Sequence, residues 1–355
     1  MQELKLIKEA NTDYLKKYNR YESIMGNNAF QIDWMIGNTC NYACTYCDDI
    51  FHDGSTPWPD VETTIKFIKR LTDHYRIHAP GKKILWNMLG GEPTVWKDFN
   101  EVFRQAKEYD PNCIVRMLTN GSRTLRYWEK NAGIFDEVII SYHPERADYK
   151  HCTEVSNILA KAGVEVSIQT CLYPPLMDRC IEACKYFHEN SIAGSHIAKA
   201  LQVSLGSHET FEYDEQKLKE AYSYDGEPKK ISEGVKTDAD FEYHTNKKKF
   251  KRKVFGNMTR FINTDTGEIE LLQSSNIPMS GGYNTWKGWK CMIGMESLVI
   301  QLDGKVTSGN SCFNDLIHGN IKDPENVKFP TDGLICPQTW CSCIADTEVT
   351  KFKVK

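Results

Sequence analysis

Apolar positions between residues 31 and 205 follow two rhythms in turn. Short apolar runs at 31–36, 84–89, 113–118, 138–142, 164–172 and 198–205 predict six strands. The stretches between them carry helical periodicity. Asp60 is placed to cap the first helix, with Val61, Ile65, Ile68 and Leu71 near helical spacing behind it. Residues 96–109 bring Phe99, Val102, Phe103 and Ala106 to one helix face, and helices are also expected at 123–131, 147–162 and 176–190. A βα unit repeated about six times predicts an α/β fold with a parallel sheet and helices outside it. Six units are too few to close an eight-stranded barrel. The expected architecture is therefore a partial (β/α)6 barrel over 31–205, preceded by an N-terminal helical extension over 1–30.

The rhythm breaks at 206–284, which is rich in Lys, Glu, Tyr and Asp and includes a basic run at 247–253. A charged helical insert or linker is expected there. The basic run reads as a solvated face or as a dock for an acidic peptide or a phosphate. Residues 285–355 predict a further small domain. Asp303-Gly304 sits between two apolar runs at 298–302 and 305–307, the signature of a two-residue hairpin turn.

Composition changes this picture little, except in one residue type. Mean hydropathy is −0.53 and formal net charge −4, so nothing draws the chain toward nucleic acid or an anionic membrane. No apolar run is long enough to span a bilayer, and the first ten residues lack a signal-peptide core, so the cytoplasm is the expected location. The thirteen cysteines stand out. In a reducing compartment they suit metal binding or catalysis better than disulfides.

Cys40, Cys44 and Cys47 form a C-x3-C-x2-C run at the end of the first predicted strand, where βα barrels gather their active sites. Three thiolates leave a metal centre with an open position, whereas a closed structural site uses four ligands. The alternative is a zinc site completed by His52 or Asp48. Cys291, Cys312, Cys336, Cys341 and Cys343 form a second group around the predicted hairpin. A zinc ribbon-like site is the alternative there. Cys113, Cys180 and Cys184 read as buried structural cysteines, as do Cys152 and Cys171 unless one of these two has a chemical role.

The triplet, with Tyr46 just before its last cysteine, resembles the signature of the radical S-adenosylmethionine (radical SAM) superfamily. Gly90-Gly91-Glu92-Pro93, at the end of the second predicted strand, resembles that family's GGEP segment. The resemblance implies a [4Fe–4S] cluster on Cys40, Cys44 and Cys47. It also implies that Tyr46, Gly90, Gly91, Glu92 and Pro93 contact S-adenosylmethionine, with the Glu92 carboxylate suited to its ammonium. By the same comparison Asn120, Ser122 and Gln169 are candidate cofactor contacts, and Thr170 and Gln202 candidate cofactor or substrate contacts. A turn or backbone-satisfying role is the alternative for each. His143 is a candidate substrate contact. Cys152 or Cys171 could return a hydrogen atom to a substrate radical.

The distal cysteines resemble the auxiliary-cluster domains called twitch and SPASM. Five cysteines fit one auxiliary [4Fe–4S] cluster better than the two of a full SPASM domain. Together these resemblances imply reductive cleavage of S-adenosylmethionine, hydrogen abstraction from an unactivated C–H bond, and an auxiliary cluster that accepts an electron. The implied substrate is a peptide, or alternatively a carbohydrate or aminoglycoside-like alcohol. The implied partner is an external one-electron reductant of flavodoxin or ferredoxin type, with no nucleic acid and no membrane. Only about 30 residues precede the first predicted strand of the barrel, so no N-terminal peptide-binding module is expected. A non-catalytic zinc or iron–sulfur protein is the reading from another class.

Overall fold

The computed structural model of the chain describes residues 12–23, 29–203, 209–229, 259–272, 278, 282–310, 312 and 316–354. The basic run at 247–253 lies outside the described residues. The six predicted barrel strands form: β2 (Ala29–Met35), β3 (Lys83–Leu89), β4 (Ile114–Thr119), β5 (Glu137–Tyr142), β6 (Glu165–Leu172) and β7 (Ser195–Ala200). They lie in that order, each parallel to the next. Helices α2 (Val61–His78), α3 (Phe99–Tyr109), α4 (Leu125–Asn131), α5 (Tyr149–Lys161) and α6 (Met177–Asn190) connect them. The last strand begins and ends earlier than its apolar run suggested. Gln202 consequently falls beyond the strand, in an isolated bridge to Thr210.

Strand alternation separates two faces. Phe30, Ile32 and Trp34 of β2, Trp86 and Met88 of β3 and Val138 and Ile140 of β5 are buried in one core with Phe67 and Leu71 of α2 and Phe103 of α3. The alternate residues line the concave face. Its floor is a small apolar plug of Ala29, Leu85 and Ile114. Above the plug a polar row runs in register across five strands: Asp33, Asn87, Arg116, Glu137 and Glu165. Asn87 Nδ2 donates to Asp33 Oδ1 at 2.7 Å, and Arg116 pairs with Glu137 at 2.9 Å. Between residues 31 and 199 the concave parity brings no aromatic ring into the barrel.

Two expectations about the ends of the chain are corrected. Residues 297–307 do make a hairpin, β11 (Ser297–Ile300) and β12 (Lys305–Thr307), but it extends the main sheet. β11 lies parallel to β2, with Leu298 opposite Ile32, and β13 (Ile317–Asn320) follows β12. Leu298 and Ile300 complete the apolar face of β2, which explains their burial at 0% exposure. The hairpin loop has three residues, 302–304. Gln301 N–H donates to Lys305 O, Gly304 N–H closes the turn on Gln301 O, and Gly304 takes a φ of +86°. A type I turn followed by a left-handed glycine matches this better than a two-residue primed turn.

The N-terminal segment is not purely helical. After α1 (Thr12–Lys17) comes β1 (Arg20–Ser23), part of a second, six-stranded sheet in the order β14-β10-β15-β1-β8-β9. Its members are β8 (Thr259–Ile262), β9 (Ile269–Leu272), β10 (Trp289–Cys291), β14 (Leu334–Ile335) and β15 (Lys351–Lys353). The segment expected to be a helical insert therefore supplies helix α7 (Glu215–Tyr222) and two strands. Leu15, Tyr18 and Tyr21 share a core with Trp286, Cys291, Cys336 and Cys341, so the two ends of the chain make one unit. That unit docks on α2, where Tyr75 Oη donates to Gly294 O at 2.6 Å and Lys82 pairs with Glu296 at 3.1 Å.

One buried base predicts an acid sensitivity. On β7 His196 is fully buried, Nε2 facing the Thr170 hydroxyl at 2.9 Å and Nδ1 facing the Tyr224 carbonyl at 3.2 Å. A carbonyl only accepts, so Nδ1 carries the proton and Nε2 takes the Thr170 hydrogen bond. Burial lowers its pKa from 6.5 to about 4. Between those values the unfolded chain binds a proton that the folded chain refuses. This stabilisation is present above pH 6.5 and lost as pH falls toward 4, at up to about 1.4 kcal/mol per pH unit. Urea midpoints compared at pH 7 and pH 5 should drop less in His196→Asn than in the wild type.

Candidate metal and cofactor site

β2 ends where Ile36 N–H still donates to Leu89 O, and the chain then loops over the mouth of the barrel before α2. Asn38, 2% exposed, staples this loop. Its side chain donates to Asp53 and Ser55 and accepts from Thr56 N–H, while its carbonyl accepts from Gly54 N–H. The cysteines sit on the first half of the loop: Cys44 is buried, and Cys40 and Cys47 are partly exposed. Neighbouring loops clasp this segment. Glu145 accepts from Thr45 N–H and Oγ1 at 2.7 Å each, Arg146 donates to Ala43 O, and Tyr173 Oη meets Thr45 Oγ1 at 3.0 Å. Residues Asn38, Glu145, Arg146 and Tyr173 carried no sequence signal. They are polar loop residues whose value lies in non-local contacts, 15–18 positions away for Asn38 and 100–128 for the other three.

The Gly90-Gly91-Glu92-Pro93 turn lies directly against the cysteine loop. Gly91 N–H donates to Gly37 O and Glu92 N–H to Thr39 O, at 2.8 and 2.9 Å. A Cβ on Gly90 would stand 2.3 Å from Gly37 O, and one on Gly91 2.4 Å from Thr39 O and 2.9 Å from Phe51 O. The glycines thus admit the backbone of the cysteine loop itself, a close approach of chain to chain. Pro93 opens a short 3₁₀ turn that Glu92 caps.

Glu92 is 1% exposed and does not offer an open carboxylate. Oε1 accepts from Thr94 N–H, Thr94 Oγ1 and Thr119 Oγ1, and Oε2 from Asn120 N–H, at 2.6–3.0 Å. Burial raises its pKa, and these donors oppose the rise. The direct ammonium contact expected of this side chain is therefore corrected: Glu92 ties the turn to β4. The carbonyls of Gly90 and Gly91 accept no protein hydrogen bond among the described residues and suit an ammonium better. Glu92→Ala would leave several buried donors unpaired. A loss of about 3 kcal/mol or more is expected, read as a fall in the urea midpoint of the apo-protein, with Glu92→Gln closer to the wild type.

Asn120 and Ser122 follow β4 and reach the same loop. Asn120 Nδ2 donates to Asn41 Oδ1 at 2.9 Å and faces Cys40 Sγ at 3.8 Å; Asn41 Nδ2 donates to Ser122 Oγ at 2.8 Å. Asn41 lies between Cys40 and Cys44 and links both. Tyr46 stacks on His143 at 5.9 Å and meets its Nδ1 through the phenol at 2.9 Å. Burial lowers the His143 pKa to about 4, and the neutral ring shares this hydrogen bond with the phenol. His143 thus positions Tyr46 in the cysteine loop.

Gln169 is half-buried on the concave face of β6, two residues before Cys171. Cys171 shares the concave parity of Gln169 and is 7% exposed. Thr170 points the other way, to His196. Cys152 is 1% exposed in the apolar core between the sheet and α5, its Sγ close to Gly121 just past the end of β4. Cys113, Cys180 and Cys184 are buried, as expected.

The chemistry of the donor set fits an iron–sulfur cluster. All thirteen cysteines are free thiols. Cys40 Sγ accepts from Tyr42 N–H at 3.3 Å, the kind of donor that stabilises a thiolate. Among the described residues no three His, Cys, Asp or Glu side chains converge on the position of a single ion. A cubane bonds each thiolate to a different iron, so its ligands stand a cluster's width apart. His52 turns to Cys47 O and Asp49, and Asp48 caps a 3₁₀ turn, so neither faces the thiols as a fourth ligand.

Residues 34–143, from β2 through β5, match the Radical SAM superfamily. This segment is a radical SAM domain. The cofactors of that family are S-adenosylmethionine and a [4Fe–4S] cluster, and the cysteine loop and the Gly90–Pro93 turn both fall within the match. Two curated relatives align with it. GTP 3',8-cyclase of Vibrio cholerae is 29% identical over 92 residues, 26% of this chain and 27% of that protein. An S-adenosylmethionine-dependent nucleotide dehydratase of Selenomonas ruminantium is 30% identical over 97 residues, 27% of this chain and 32% of that one. The chain thus spans about a third or less of the length of the curated relatives it matches. Among solved structures, anSMEcpe with bound AdoMet is similar at a TM-score of 0.45 and 14% identity, over 83% of this chain and 78% of that one.

The C-terminal cysteines gather outside the radical SAM domain. Cys291, Cys312, Cys336 and Cys341 are 4–9% exposed. Cys291, Cys336 and Cys341 share one buried cluster, and burial, then Asp346, then these thiols, push the Cys312 thiol up to about 12. Cys343 precedes helix α8 (Ile344–Glu348), and its thiol accepts from Asn310 Nδ2 at 3.5 Å.

Proposed function

We propose that this chain is a radical SAM enzyme with one auxiliary [4Fe–4S] cluster, held by Cys291, Cys312, Cys336 and Cys341, that oxidises or cross-links a peptide. The observation that carries the oxidative part is the second group of four buried thiols. When bound, the cluster on Cys40, Cys44 and Cys47 and its S-adenosylmethionine supply a 5′-deoxyadenosyl radical that abstracts hydrogen from an unactivated C–H bond.

This chain's residues do the rest. The Asn38-stapled loop fixes the three thiols. The Gly90 and Gly91 carbonyls receive the ammonium, and Asn120 and Ser122 with Asn41 fix the adjoining polar edge. Tyr46, held by His143, packs the loop against β5. The concave row of Asp33, Asn87, Arg116 and Glu137 offers donors and acceptors of both signs for amide groups. A carbohydrate or aminoglycoside-like alcohol is the second reading. A flavodoxin- or ferredoxin-type protein is the proposed reductant.

Anaerobic reconstitution tests this. About eight irons and eight sulfides per chain are expected, with 5′-deoxyadenosine formed from S-adenosylmethionine under reduction. Zinc alone, or reconstituted protein that forms none, would sink the reading. Cys341→Ala should lose about four irons, and Cys343→Ala should keep them.

A further inference from the structure

We propose that Lys351 is a fixed counter-charge for the auxiliary cluster, a buried ammonium that raises the cluster's one-electron reduction potential. This rests on the reading above that the distal cysteines hold such a cluster. Lys351 is 1% exposed. Nζ donates to three carbonyls, Asp346 O at 2.7 Å, Thr347 O at 3.1 Å and Val349 O at 2.7 Å. Three acceptors match the three hydrogens of an ammonium; a neutral amine has only two. The same nitrogen lies over the faces of Trp286 and Tyr21, at 5.3 and 5.7 Å from the ring centres.

Among the described residues no carboxylate pairs with this buried cation. Leaving a charge in such a place without a counter-ion is costly, so the site calls for an anion. Register supplies one. In the six-stranded sheet Lys351 lies directly opposite Cys291 on one side and Tyr21 on the other. Residues opposite each other in an antiparallel pair project from the same face. Lys351 therefore stands beside a proposed ligand, Cys291. Asp346, 2% exposed, puts a buried carboxylate on the same segment: its backbone carbonyl accepts from Lys351 Nζ and its side chain accepts from Asn310 N–H. A cubane with four thiolates is anionic and gains one further negative charge on reduction. A neighbouring ammonium stabilises the reduced form more than the oxidised one, and a neighbouring carboxylate does the reverse. The electron comes from the donor in the couple, and no proton moves on Lys351.

The test uses the full chain with Cys40, Cys44 and Cys47 all changed to Ala, so that only the auxiliary cluster reports. Its reduced fraction is followed by electron paramagnetic resonance in a mediated redox titration. Lys351→Met should lower the ratio of reduced to oxidised cluster about tenfold at a fixed ambient potential, a shift of ~59 mV for one electron. Lys351→Arg should stay close to the parent, and Asp346→Asn should shift the other way. A purely structural lysine would change stability and leave the potential alone. Unmoved potentials in iron-loaded Lys351→Met and Asp346→Asn would overturn the proposal. Should Lys351→Met fail to load iron, the Asp346→Asn titration decides: an upward shift supports the charged site and no shift overturns it. A triple variant without iron would instead remove the auxiliary-cluster reading, and this proposal with it.

Discussion

Cys44→Ala should abolish the reductive cleavage of S-adenosylmethionine while leaving about half of the iron in place. Cys44 is the buried member of the triplet, 4% exposed, and its carbonyl closes the turn to Cys47 N–H at 3.0 Å. A methyl group cannot replace a thiolate. The turn also needs no thiol, so the loop should keep its path. Changes that merely touch a metal site from outside cost about 10–100-fold. Removal of a ligand should cost more, and 5′-deoxyadenosine formation should fall by more than about 100-fold. Iron should drop from about eight to about four per chain, because the distal thiols lie in a separate core. Full iron with undiminished 5′-deoxyadenosine formation would show that the triplet is not the site.

Gly91→Ala carries the second large effect, and its cause is purely geometric. The new Cβ would meet two backbone carbonyls of the cysteine loop, Thr39 O at 2.4 Å and Phe51 O at 2.9 Å. Neither is the tip of a flexible side chain, so the loop itself must move. Overpacking of this kind costs about 1–3 kcal/mol, and here the displaced segment carries the metal ligands. We expect lost iron at the triplet and S-adenosylmethionine binding weakened by about 100-fold or more, measured by equilibrium dialysis on reconstituted protein. Gly90→Ala should behave similarly, since it also sits at a φ of +119°. Gly133→Ala is the control: nothing lies within 4 Å of the Cβ it would gain, and binding should be unchanged. Equal binding in all three variants would mean that the turn does not govern the cysteine loop.

The barrel itself was legible because its strands and helices are local patterns. Each βα unit repeats a run of alternating or continuous apolar residues and then a helical stripe, and the sheet follows from their order. The cysteine triplet and Gly90–Pro93 were legible for a similar reason: their chemistry is packed into short spacings. Residues whose role lies in a distant contact were not legible. Glu92 looked like an open carboxylate until Thr94, Thr119 and Asn120 were seen to occupy it. Cys152 and Cys171 looked equivalent until one fell in the core between sheet and helices and the other on the concave side of β6.

The ends of the chain show the same division. Asp303-Gly304 announced a hairpin, but no local signal says which sheet a hairpin will join. That choice rests on β2 having an unpaired edge and an apolar face that Leu298 and Ile300 can extend. Likewise Tyr21, Lys351 and Cys291 form one row only because strands some 330 and 60 positions apart pair side by side. The amino-acid order by itself determined the radical SAM signature and the six-unit barrel, through short-range spacing and periodicity. The tertiary structure alone decided which polar groups are already occupied, which thiols gather and which charge faces them, because each of these is fixed by pairing between segments far apart in the chain.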